Sequence, residues 1–183
     1  GFIAGGFFRG ATFDIGGTIL TSAGNEDGFL FKIDNAGTVQ WIKQIQSADW
    51  ERVNSLTTDA TGNVYITGYI ITTTEFYDRP SGSLDTTITE AGANNNIFLC
   101  KYDKDGDFKW ANKANSTANN IALGIDVQST KTIQLTGYIS GAMTWNNDNL
   151  TATDDEVFLG IYDIDGNALT ASKGIGTGAA PPY

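Results

Sequence analysis

Asp103, Asp105 and Asp107 alternate along the stretch DKDGD, the sharpest gathering of carboxylates in the chain. Calcium takes roughly six to eight oxygen ligands, so an acidic loop is where a cation site is weighed first. An EF-hand loop places Gly at its sixth position and Glu at its twelfth. Counted from Asp103, Gly106 is fourth and the twelfth residue is Ala114. Two sister stretches, Asp34-Asn35-Ala36-Gly37 and Asp163-Ile164-Asp165-Gly166, carry fewer carboxylates. A repeated tight turn accounts for all three: Asp accepts bonds from backbone amides two residues on, and Gly supplies positive φ. No metal or cofactor is expected.

Other reactive types are scarce. The chain has no His, which removes Ser-His-Asp and Cys-His machinery and the commonest transition-metal ligand. Cys100, the single cysteine, lies on a strand at the register of Phe31 and Gly160 and reads as a small core residue, with no disulfide to make. Asp154, Asp155 and Glu156 form an acidic run ahead of a strand. Glycosidase chemistry needs two carboxylates about 5–9.5 Å apart across a sugar-sized cleft, and sequence neighbours in a turn do not supply that. Trp41 and Trp110 could stack on sugar rings, yet their recurrence at one register favours packing against a neighbouring unit. No catalytic, cofactor-binding or metal-ligating residue is assigned, and the protein is read as a non-enzyme.

The elements that position these residues form a repeat. Asp27–Trp41, Asn96–Trp110 and Glu156–Thr170 are three copies of one strand–turn–strand pattern. The opening GFIAGGFF resembles Val64–Ile71 and Ile133–Ser140, which aligns Gly5, Gly68 and Gly137. An aromatic follows eight residues after each: Phe13, Phe76 and Trp145. Segments of changing length then lead to Phe29, Phe98 and Phe158. β-Branched and aromatic residues cluster between Gly, Asn and Asp, without helical periodicity. The expected strands are Val53–Thr58, Val64–Ile71, Phe98–Asp103 and Phe108–Lys113, then Ile121–Val127, Ile133–Ile139, Val157–Asp163 and Asn167–Lys173. With three in the first unit they make eleven. Strands apolar on both faces, such as Phe98–Tyr102, belong between stacked sheets.

The expected fold is therefore all-β: four-stranded antiparallel sheets as blades of a β-propeller. About three blades are present, at 1–48 (partial, lacking its first strand), 49–116, and 117–183 with a tail. Since propellers have typically four to eight blades, the chain reads as part of a larger ring, completed by the rest of its own propeller or by other chains. It opens on Gly without a signal-peptide pattern, so it reads as processed or as a piece of something longer.

Composition bounds the partners. Net charge is −10, with only 11 Lys and Arg spread along the chain, so nucleic acid and anionic membranes are not expected partners. No apolar run approaches the ~20 residues of a membrane-spanning helix. Recognition is expected in the variable segments Asp14–Gly28, Tyr77–Asn96 and Asn146–Glu156, the middle one carrying Tyr77, Arg79 and Pro80, because loops changing length on a fixed frame are where binding resides.

GNVYITGY (Gly62–Tyr69), TEF (Thr74–Phe76) and FLCKYDKDGDFKW together resemble the bacterial SBBP repeats, named for seven-bladed β-propellers. The resemblance covers nearly the whole chain and is weakest in the third unit, where Thr170 replaces Trp and Gln134 replaces Tyr65. There is a looser similarity to quinoprotein-type propellers, without their quinone-binding residues. The resemblance implies a secreted or surface-exposed bacterial protein whose repeats are seldom catalytic. The expected role is scaffolding or adhesion, with a glycan or protein ligand. The alternatives are a module of an extracellular carbohydrate-active enzyme and a structural subunit of an extracellular assembly.

Overall fold

The computed structural model describes residues 1–90, 94–129, 131–145 and 148–174. The tail after 174 and parts of two variable segments lie outside these residues.

The described chain is all-β and antiparallel within its sheets. The first sheet begins with β1 (Phe2–Phe8). A hairpin, β2 (Thr12–Ile15) and β3 (Thr18–Thr21), leads back to β4 (Asp27–Ile33) and β5 (Val39–Gln46). The second unit has β6 (Arg52–Thr58), β7 (Val64–Ile70), the hairpin β8 (Thr74–Arg79) and β9 (Leu84–Ile88), then β10 (Asn96–Tyr102) and β11 (Phe108–Lys113). A short β12 (Asn115–Ser116) continues from β11. The third unit has β13 (Asn120–Val127), β14 (Thr132–Ile139), the hairpin β15 (Ala142–Trp145) and β16 (Asp148–Thr151), then β17 (Glu156–Asp163) and β18 (Ala168–Lys173).

Removing the hairpins and β12 leaves the eleven expected strands. Blade two runs β6-β7-β10-β11 and blade three β13-β14-β17-β18, each a four-stranded meander; blade one has the last three positions, β1-β4-β5. The blades stack face to face, with β6 beside β1 on one side and β13 on the other. Core forms where faces meet. Leu30, Trp41 and Ile45 of blade one pack with Ile66, Phe98, Cys100 and Tyr102 of blade two. Tyr65, Ile97 and Leu99 on the other face of blade two pack with Leu135, Phe158 and Tyr162 of blade three. The middle blade is therefore apolar on both faces: every residue of β7 and β10 is buried.

Strand pairing corrects one register. Phe98 faces Gly68 and Phe158 faces Gly137, but Phe29 faces Gly6, not Gly5. Gly6 is thus the counterpart of the later glycines. A one-residue slip moves side chains to the opposite face, which is why apolar composition alone could not settle it. The later glycines have a steric cause. A Cβ on Gly68 would lie 1.8 Å from the Arg52 carbonyl oxygen, and one on Gly137 would lie 2.0 Å from that of Ile121. In both blades the bulged first strand presses its backbone against the second. The hairpin aromatics do correspond: Phe13 meets Phe29, Phe76 meets Phe98, and Trp145 meets Phe158 at ring-centroid separations of 5.0, 5.8 and 6.3 Å.

The variable segments hold paired strands that the sequence did not suggest. The hairpin of blade two extends the sheet of blade one, giving the order β1-β4-β5-β8-β9. The hairpin of blade three pairs with β12, just past the outer strand of blade two. The two exchanges share one register. Gln46, five residues after Trp41, faces Glu75, which precedes Phe76; Asn115, five after Trp110, faces Thr144, which precedes Trp145.

Candidate functional site

Because the strands alternate in direction, the Asp-x-x-Gly turns gather at one end of the blades. The variable segments leave and re-enter the blades at the other end, and the hairpins of blades one and two run back along the outer edge toward the turns. At the turn end, Oδ1 of Asp34 accepts the amides of Ala36 and Thr38, and Asp103 does the same for Asp105 and Asp107. Asp163 accepts those of Asp165 and Asn167. A fourth copy, unsuspected from the repeat of the third and fourth strands, is Asp59 in the β6–β7 turn, accepting Thr61 and Asn63. Burial pulls the Asp59 carboxyl up, but the bonds from Thr61 and Asn63 outweigh it and hold the group at about 2. The second oxygens are engaged as well: Asp103 by Lys109 at 2.7 Å, Asp163 by the Asn167 amide at 2.8 Å. These carboxylates serve as turn acceptors. Among the described residues, no three His, Cys, Asp or Glu side chains converge as a metal cage.

Cys100 is buried with Phe98 and Tyr102, and burial pushes its thiol far above the ordinary range, away from nucleophilic use. Asp154 and Asp155 are exposed, and Asp155 accepts from Ser140 while Glu156 pairs with Lys173. The acidic run is thereby tied into its own blade.

The two tryptophans join blades. Trp41 lies over Gly106 in the turn of blade two, so that a Cβ on that glycine would be 2.7 Å from the indole Cγ. Its Nε1 donates to the Lys104 carbonyl at 3.3 Å, and Lys32 Nζ donates to the same oxygen at 2.6 Å. Trp110 repeats this over Gly166, with Trp110 Nε1 and Lys101 Nζ donating to the Ile164 carbonyl at 3.3 and 2.9 Å. Each clasp thus uses a Lys and a Trp nine residues apart in sequence.

In the hairpin of blade two, the residues picked out in the middle segment are partly committed to docking. Arg79 donates to Gln44 at 3.0 Å and to Gln46 at 3.1 Å, with its guanidinium 4.6 Å from the Tyr77 ring centre. Buried Lys43 of β5 pairs with Asp78 at 2.9 Å and Asp85 at 3.0 Å. These contacts fasten the hairpin along β5 of blade one and leave its exposed turn, Pro80–Ser83, beside the Asp105–Asp107 turn of blade two.

The end opposite the Asp-centred turns holds a cluster that sequence reading missed. Buried Glu26 pairs with both Arg9 and Arg52. Arg52 also lies 4.1 Å from the Phe7 ring centre, and Trp50 is within 5.9 Å of both guanidinium groups. Arg9, Phe7 and Trp50 remain exposed. Cationic and aromatic groups brought together in this way can stack on a planar or sugar face and bond its polar edge. The available signal was the occurrence of two arginines beside Trp50 and Phe7 in an acidic chain. Nearby, buried Glu51 is bonded by Ser47 at 2.5 Å while its other oxygen has no partner. Burial, with the Asp27 charge adding to it against the Ser47 bond, pushes its carboxyl up to about 8.

No family model matches the chain. An uncharacterized WD repeat-containing protein of Acanthamoeba polyphaga mimivirus is 27% identical over an alignment covering 81% of this chain and 13% of the relative. The chain thus spans a small part of that protein's length. Among solved structures, Chaetomium thermophilum Raptor aligns with 82% of this chain and 19% of its own, at 10% identity and a TM-score of 0.24, a likeness too slight to inform the fold.

Proposed function

We propose that the chain is a non-catalytic propeller scaffold that recognises a protein or glycan at the end of its blades opposite the Asp-centred turns. The carrying observation is the asymmetry of the two ends. The turn end repeats one Asp-centred device with little variation, whereas the opposite end is where every segment of changing length leaves its blade and where the exposed Arg9–Trp50–Phe7 cluster lies. Variation on a fixed frame, placed beside exposed aromatic and guanidinium groups, is how a scaffold presents a binding surface. Similarity to a WD repeat-containing protein supports a repeat scaffold. The resemblance to SBBP repeats supports placement in a secreted or surface-exposed bacterial protein and a role in adhesion.

A glycan array combined with a hydrolysis screen on the purified chain tests this reading. The expected result is binding without turnover, weakened at least about tenfold by the double substitution Arg9→Ala with Trp50→Ala. Turnover by the isolated chain would overturn the scaffold reading.

A further inference from the structure

Both blade junctions in this chain are made by the outer strand of one blade acting at two points on the next. Its Trp covers the turn glycine, and five residues later its edge pairs with the next blade's hairpin. Blade one has the receiving half of both devices. Its turn Asp34–Gly37 has the same Asx geometry, Gly37 has φ of 85° like Gly106 at 90°, and nothing lies within 4 Å of a Cβ built there. The Asn35 carbonyl stands where those of Lys104 and Ile164 accept their Trp and Lys. Among the described residues, its hairpin strand β2 pairs only with β3, leaving the other edge free. Phe13 accordingly stays half-buried, while Phe76 and Trp145, covered by β5 and by the β12 segment, are closed off from solvent.

We propose that Gly37 and the free edge of β2 together receive the outer strand of a further blade of this same repeat, one that carries Trp with Lys nine residues before it. A second copy of this chain does not fit that description. Blade three, the only one with an unused outer strand among the described residues, has Thr170 at the Trp position and Ile161 at the Lys position. The donor pair is lost at both positions at once, so the acceptor on blade one has no matching donor on β18.

The inference concerns blade assembly and stands apart from what the Arg9–Trp50 end recognises. It is tested by joining a copy of the segment Lys32–Ser47 ahead of Gly1 of the full chain through a flexible Gly/Ser linker of about 20 residues, long enough to span roughly 25 Å. Amide hydrogen exchange then reads the free edge of β2 and the Asp34–Gly37 turn. The expected result is at least about tenfold slower exchange at the edge amides of Thr12–Ile15, lost when the tethered copy alone carries Trp41→Ala. Unchanged exchange, equal protection from the Trp41→Ala copy, or dimerisation of the untethered chain with protection of β2 would each overturn the assignment. Ligand binding at Arg9 and Trp50 is measured separately, so failure here leaves the proposed function standing.

Discussion

Glu51 is the residue whose chemistry departs most from its sequence context. It is fully buried, one carboxylate oxygen is unpartnered, and its folded pKa of about 8 lies above the ordinary 4.5. Between those values the folded chain keeps a proton that the unfolded chain releases. The Glu51 contribution to stability is therefore fully present below pH 4.5 and is lost as pH rises through about 8. Denaturant melts at pH 5 and pH 8 should show the wild type losing on the order of 3 kcal/mol more than Glu51→Gln. Parallel behaviour of the two proteins would mean that Glu51 is solvated. Lys131 is a second departure, at φ of 61° in the β13–β14 turn, where the matching turn of blade two has Gly62. Lys131→Gly should raise stability by about 0.5–1 kcal/mol in thermal melts, relief of left-handed strain exceeding the added chain entropy. Neither feature is legible in the linear chain. Glu51 depends on blades closing over it, and a Lys in a turn looks ordinary until its φ is known.

At the scale of elements, the junctions rest on Trp over Gly. Gly37 and Gly106 share a left-handed backbone, but only Gly106 lies beneath an indole. Gly37→Ala should therefore cost about 1 kcal/mol from backbone strain, and Gly106→Ala at least about 2 kcal/mol more, because Trp41 must move. Trp41→Ala should cost about 3 kcal/mol and make Gly106→Ala less damaging, a coupling that a double-mutant cycle measures. Additive effects would show that the ring and the glycine do not act together. The Asp-x-x-Gly turns, the Trp register and the eleven blade strands were readable because side-chain alternation and Asx turns are local chemistry. The hairpins in the variable segments were not: β8 carries Glu75 and Asp78 on either side of Phe76 and Tyr77, and pairing with β9 and, across the junction, with β5 makes it a strand.

For the whole molecule, stability is expected to follow coverage. Blade two is packed on both faces, while Val157 of blade three is 66% exposed where its counterpart Ile97 is 0% exposed. Stacked repeats stabilise one another mainly through neighbour interfaces. Amides of β7 and β10 should thus exchange slowest, and those of β17 and β18 at least about tenfold faster in native-state hydrogen exchange. Equal protection throughout would mean that the blades unfold as one unit.

The sequence by itself determined the repeat, the all-β class, the turn chemistry and the absence of His-based catalysis. Each follows from residue type and spacing over a few neighbouring positions. The tertiary structure decided that Gly6 holds the glycine register, that hairpins cross to the neighbouring blade, that Glu51 is buried, and that Arg9, Arg52, Trp50 and Phe7 meet around Glu26. Those features arise from contacts between residues far apart in the chain, and stacking the sheets is what brings them together.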